Sequence, residues 1–245
     1  QIIAAISCFY DVSDLNVFVS GIAKILDPNG ILIIQQNYLP MMLKNNAFDN
    51  IVHEHLTYFS LTTLATLLGR HGLEIFDVEL RSVNGGSFRT YIARKGKRRV
   101  LNSVALLMSQ EKKLHLGSEK IYKDFYLKIK KERKRVLNFL KQLVRRGRTV
   151  YLYGASTRGN TLLQFYGLDK KLIKKAVERN SEKWGKKIAS VGIPIISEGE
   201  ARKEKPDYML VLPWFFRDEF IKREKKYLQK GGKFIFPLPK FDVFK

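Results

Sequence analysis

The chain has 245 residues, 45% hydrophobic and 12% aromatic, enough to bury a sizeable core and room for two. Its single cysteine, Cys8, excludes a disulfide framework and a four-ligand cysteine zinc site and suits a reducing, cytoplasmic setting; inside an apolar run, it reads as a buried, inert thiol. No apolar stretch approaches the roughly 20 residues that cross a bilayer, so no membrane partner is expected.

The net charge of +22 raises the question of a nucleic-acid partner. The charge is densest over Lys128–Arg148, where Leu127, Val136, Leu137, Leu140 and Val144 recur at helical spacing. Those cations decorate the solvated face of an amphipathic helix, and no nucleic-acid site is expected. A small anionic substrate would still gain from such a field. Gln1 to Ile6 has neither an initiator Met nor the basic flank of a signal peptide. It reads as a strand entered partway, so the chain is expected to be a fragment.

In chain order, Ile2–Phe9 is an apolar run of the kind found in a buried parallel strand. Val12–Leu26 carries Leu15, Phe18, Val19, Ile22, Ile25 and Leu26 on one helical stripe and stops at the turn Asp27-Pro28-Asn29-Gly30. Ile31–Gln35 is the next strand, giving half of a doubly wound unit. Asn37–Ser60 has too few apolar repeats for regular structure, and Leu61–His71 is a helix closed by Gly72. Leu73–Val83 and Ser87–Arg94 alternate like strands around the hairpin signal Asn84-Gly85-Gly86. Helical pattern runs from Val100 to Arg146 with a break near Gly117. A second βα-alternating series follows: Thr149–Tyr153, a helix through Tyr166, strands at Ala176–Glu178, Ile193–Ile196 and Tyr208–Leu212, a helix Phe216–Leu228, and a last strand Lys233–Phe236.

The fold class is therefore α/β: a partial Rossmann-like domain over residues 1–96, a helical connector over 97–147, and a second Rossmann-like domain over 148–245. Two segments carry chemistry. His53-Glu54-His55 lies in a loop beyond a strand's carboxyl end, where open α/β sheets place ligands. A histidine beside a carboxylate suits a general base, the triplet also permits a metal, and a purely structural role stays open. Gly154-Ala155-Ser156-Thr157-Arg158-Gly159-Asn160 joins a strand to a helix, so its amides can cradle a phosphate. Glu178 ends the next strand, where a dinucleotide fold sets a carboxylate against a ribose. NAD binding by an oxidoreductase or a simple nucleotide-binding module competes here. His71 and His115 read as surface residues, and Trp184 and Trp214 as packing, with Trp214 also placed to line a cleft.

Asn45-Asn46-Ala47-Phe48-Asp49-Asn50, His53-Glu54-His55-Leu56-Thr57-Tyr58-Phe59-Ser60-Leu61, Asn84-Gly85-Gly86-Ser87-Phe88-Arg89, Tyr153 to Leu163, Glu178-Arg179-Asn180 and Gly231 to Pro239 occur in one ordered series. This series resembles the sugar-nucleotide C-methyltransferases of deoxysugar biosynthesis over almost the whole chain. The resemblance implies S-adenosylmethionine as cofactor, a small-molecule nucleotide sugar as partner, and zinc only in a front module that would lie upstream of Gln1. It assigns His55 as the base that removes the proton next to a ketone, with Glu54 beside it; that chemistry also needs donors to the enolate oxygen, for which Tyr58 and Asn84 are the candidates. It places the cofactor wall at Ser7, Cys8, Phe9 and Tyr10, and the sugar nucleotide at Asn84, Gly154, Ala155, Ser156, Arg158, Asn160 and Glu178. Val52 stands where the family often has Tyr.

Overall fold

The computed structural model describes all 245 residues as two compact units. The first comprises Gln1–Lys44 and His53–Asp124, and the second Asn45–Val52 and Phe125–Lys245. These cuts fall elsewhere than the three-part sequence division: residues 97–124 group with the first unit, and a short stretch before His53 groups with the second.

In the first unit the elements are β1 (Ile2–Ile6), α1 (Leu15–Ile25), β2 (Ile31–Asn37), α2 (Leu39–Lys44), α3 (Leu61–Gly69), β3 (Leu73–Arg81), β4 (Ser87–Arg94) and α4 (Asn102–Leu114). Helix α1 begins three residues later than expected because Asp14 caps it, its carboxylate accepting from the Val17 amide at 2.9 Å. Its carboxyl end is closed by the Arg94 guanidinium, which donates to the Ala23 and Leu26 carbonyls. The sheet order is β1-β2-β4-β3, with β1 parallel to β2 and the other pairs antiparallel. Its core is built from Phe9, Leu32, Ile34, Leu61, Leu64, Leu68, Phe88 and Ile92.

Three expectations change here. β1 is the edge strand, so Ile2 and Ile6 are exposed rather than buried. Cys8 is exposed too, because it follows the turn at Ser7, whose backbone is left-handed (φ 55°). The stretch expected to be irregular contains α2, whose Pro40 sits in the first turn, where no intrahelical N–H is needed.

Helix α3 starts on a buried carboxylate. Glu111 of α4 accepts from the Leu61 amide, the Thr62 amide at 2.9 Å, the Thr62 hydroxyl at 2.6 Å and the Tyr38 hydroxyl at 2.8 Å. Ser60 and Thr63 complete the end as a reciprocal cap.

Helix α5 (Glu119–Arg145) begins in the first unit and runs into the second. The second unit continues with β5 (Val150–Tyr153), α6 (Thr157–Tyr166), β6 (Ala176–Glu178), β7 (Ile195–Ser197), α7 (Glu198–Glu204), β8 (Tyr208–Val211), α8 (Arg217–Arg223), α9 (Lys225–Gln229), β9 (Lys233–Phe236) and β10 (Asp242–Phe244). The strand order is β10-β9-β8-β5-β6-β7, all parallel except β10. The chain leaves β5 toward β7 and later returns to β8 on the other side, so the order reverses between β5 and β8.

The buried stripe of α5 is Phe125, Ile129, Val136, Leu140 and Leu143; Leu127, expected on that stripe, points to solvent. The single helix expected over Phe216–Leu228 is two, broken at Glu224, whose buried carboxylate accepts from Tyr153 and Arg202. β10 adds a strand after the one expected to be last.

Glu111→Ala takes the acceptor from the buried Leu61 amide and Tyr38 hydroxyl and from the Thr62 amide and hydroxyl, and is expected to lower stability by about 2–3 kcal/mol in urea unfolding, with Tyr38→Phe costing about 1 kcal/mol. Wild-type midpoints for Glu111→Ala would show that the cap is not needed.

Candidate functional site

The first unit gathers its candidate residues along one sheet edge. Ile6 pairs with Gln35 and Asn37 pairs with Ser87. The residues after β1, the end of β2 and the Asn84–Gly86 turn before β4 therefore share that edge. At the turn, Asn84 is left-handed (φ 55°) and Gly86 is held at φ 132°. A Cβ on Gly86 would come within 2.6 Å of the Met41 Cβ, and the Gly86 carbonyl accepts from the Tyr38 amide.

His55 is fixed to this edge by Tyr10. The two rings lie 4.3 Å apart, and the Leu56 and Thr57 amides donate to the Tyr10 carbonyl at 3.0 and 3.2 Å. His55 is half-buried, whereas His53 and Glu54 are exposed. Asp11, which the sequence did not single out, completes the surroundings. Burial raises its carboxyl above the usual range, His55 draws it down and Glu54 pushes it up. Asp11 and His55 are therefore close enough to interact electrostatically. Burial also raises the Tyr58 hydroxyl, keeping it protonated and able to donate.

The expected cofactor wall is only partly open. Phe9 is a core side chain packed against Phe18 and Phe59, and Tyr10 is buried; Ser7 is half-buried and Cys8 exposed. Gln36, also missed from sequence, is 1% exposed, and neither polar atom of its side chain has a hydrogen-bond partner within the protein. Only the buried-polar rule, applied to two consecutive glutamines ending an apolar strand, could have flagged it.

The second unit has a 610 Å³ cleft at its strand-order reversal, lined by Gly154, Arg158, Glu178, Phe215, Phe216 and Arg223 among others. Gly154 has φ +91° and its missing Cβ would lie 2.7 Å from Pro213, which follows β8. Gly159 packs as closely on Leu212 (2.6 Å), and Ser156 caps α6 by accepting the Gly159 amide. Ala155 also lines the cleft, while Asn160 lies further along α6, outside the lining. Trp214 is buried behind the wall that Phe215 and Phe216 form, and Trp184 is exposed with its indole N–H on the Glu178 carbonyl.

Glu178 does not stand open for a ribose. Its carboxylate accepts from the amides of Ala155, Arg179 and Asn180 at 2.8 to 3.1 Å, with Lys183 3.9 Å away. It builds the glycine turn, which weighs against the dinucleotide reading. Arg223, another residue the sequence reading missed, donates twice to the Tyr153 hydroxyl and lies over the Phe220 ring at 4.8 Å. A larger hollow of 870 Å³ lies before β8 and β9, at the opposite edge, and its lining includes several lysines together with Arg202, Arg223 and Glu224. Parallel sheets bind ligands at their carboxyl ends, which makes the smaller cleft the candidate site.

Residues 1–78 match the family model of a methyltransferase domain, and residues 82–239 match that of a C-methyltransferase C-terminal domain. The chain belongs to the C-methyltransferase family. It is 35% identical over 233 residues to the C-methyltransferase NovU of Streptomyces niveus, an alignment covering 95% of this chain. That alignment takes in 56% of the relative, so the chain spans little more than half of its length. In this C-methyltransferase chain, the first unit's edge falls mainly within one matched region and the second unit's cleft within the other.

Gly154→Ala forces a side chain into a left-handed position and against Pro213. It is expected to destabilise the protein by about 1–3 kcal/mol, and Ser156→Ala, which removes a cap, by about 1 kcal/mol. Chemical denaturation monitored by tryptophan fluorescence measures both. An unchanged midpoint for Gly154→Ala would mean that Pro213 yields without cost.

Proposed function

We propose that this chain carries the proton-abstracting and nucleotide-holding parts of an S-adenosylmethionine-dependent C-methyltransferase acting on a nucleotide-linked keto-sugar. The observation that carries the reading is the placement of His55 on Tyr10, at a sheet's carboxyl edge, with Asp11 alongside.

His55 accepts the proton from the carbon next to the ketone, a step for which a positioned base contributes about 10²–10⁴-fold. Asp11 and Glu54 stabilise the imidazolium that results. Tyr58, kept protonated by burial, and Asn84 donate to the enolate oxygen as charge develops there. S-adenosylmethionine, when bound, supplies an electrophilic sulfonium methyl. The residues present fit one wall of its site: the turn at Ser7 and the exposed Cys8, and the Gln36 amide, which has hydrogen bonds still to make.

The second unit's cleft suits a nucleoside diphosphate. Arg158, Arg179, Lys183 and Arg223 offer positive charge, α6 opens there with its amides, and Phe215 and Phe216 offer flat apolar faces. Glu178, occupied by three amides, leaves the NAD reading weaker.

His55→Ala is expected to slow methylation by about 10²–10⁴-fold and to stop deuterium exchange next to the ketone, while nucleotide binding changes little. Exchange surviving in that variant would remove His55 as base. Thymidine diphosphate is expected to raise the melting temperature more than NAD does, by about 2.7 kcal/mol of stabilisation at a hundredfold excess over its dissociation constant. The reverse order would favour an oxidoreductase.

A further inference from the structure

We propose that Asp49 is a positioning residue that couples occupancy of the Gly154 cleft to the order of the His53–His55 segment, through its ion pair with Arg158. The inference rests on the nucleotide reading of that cleft.

Asp49 is 1% exposed, and its Oδ2 accepts from the Arg158 guanidinium at 2.6 Å and from the Trp214 indole N–H at 3.2 Å. Its other oxygen, Oδ1, has no hydrogen-bond partner within the protein. A carboxylate so far from water depends on those two donors for its stability. Burial raises the Asp49 carboxyl, and Arg158 is the principal group opposing that shift.

Both donors belong to the wall of the cleft or to its backing. Arg158 lines the cleft in the first turn of α6 and lies 4.5 Å over the Phe215 ring, and Trp214 sits between the lining residues Pro213 and Phe215. The stretch around Asp49 is clamped to the same helix. Phe48 stacks on Phe165 and Tyr166, and the Ile51 carbonyl accepts from the Thr161 hydroxyl. Four residues after Asp49 the chain reaches His53, and two later His55, whose following amides are tied to Tyr10. The lead-in to the base is thus held by a cation that also faces the ligand.

A guanidinium presents five N–H groups in a rigid fork, so one can stay on Asp49 while others meet a phosphate. A bound diphosphate that immobilises Arg158 immobilises Asp49 with it. By linkage, ordering of this stretch must in turn favour binding of the nucleotide.

Hydrogen exchange of the full chain, with and without saturating thymidine diphosphate, tests the proposal, with binding measured separately by calorimetry. The amides of Asn50, Ile51 and Val52, which close a short turn, and those of His53 to Thr57 are the reporters. Wild type is expected to show about 5–10-fold slower exchange there on saturation. Asp49→Asn, the same size without the charge, is expected to bind thymidine diphosphate yet lose that protection. Trp214→Phe, which removes one donor, loses part of it and serves if Asp49→Asn does not fold. Saturated wild type with protection confined to residues 154–160 would overturn the coupling, as would full protection in a folded Asp49→Asn or, failing that, in Trp214→Phe. Absence of any calorimetric binding would instead sink the nucleotide reading and the coupling with it.

Discussion

A carboxylate removed from water must take its hydrogen bonds from the protein, and in this chain that requirement organises the loops at the strand ends. Glu111 reaches from α4 to hold the first amides of α3, and Glu178 turns back to hold the amide of Ala155. Glu224 breaks one helix into two while accepting from Tyr153 and Arg202, and Asp49 rests on Arg158 and Trp214. In each case the acid lies far in sequence from at least one group it satisfies. The loops that hold the candidate residues are consequently fixed from outside themselves, as positioning of reactive groups would demand.

This explains what was legible in the sequence and what was not. Periodicity and the glycine turns are local signals, and they place α1, α3, α6 and the β3–β4 hairpin within a few residues. The break at Glu224 was hidden because nothing local announces it: Phe216 to Leu228 keeps helical spacing, and the partners of Glu224 lie on β5 and α7. Leu127 was misread for a related reason. A long amphipathic helix offers more than one plausible stripe, and only its packing chose the one through Phe125 and Ile129. Short apolar pieces such as Leu39–Lys44 give too little period to recognise.

At the candidate site the motifs single out two loops, and the structure sets beside them residues that no motif names. His55 stands out because histidine is scarce here, four in the whole chain. Asp11, Gln36, Asp49 and Arg223 are ordinary residues whose meaning comes from burial or from a distant neighbour. Phe9 shows the opposite failure, since adjacency to a strand end does not decide which way a side chain faces. Glu178 is subtler. Its position matches a ribose-binding acid, yet its hydrogen bonds are spent on the turn that precedes α6.

The charge balance gives these assignments a further consequence. With 45 basic and 23 acidic residues, the chain has few carboxylates to neutralise its cations, and several of those few are buried in structural work. Cations near a buried acid are held in place; Arg158 and Arg202 are examples. Cations elsewhere, as on the solvated face of α5, stay mobile and screened, and contribute a diffuse field rather than a site. A basic protein can therefore attract anions over its whole surface while recognising one at few places. Recognition needs a guanidinium whose orientation is already fixed, because the ordering cost has then been met before the ligand arrives. By that criterion the Gly154 cleft qualifies through Arg158 on Asp49, but Arg223 lines both cavities and Arg202, held on Glu224, lines the larger one, so what separates the two is the position of the Gly154 cleft at the carboxyl ends of the parallel strands.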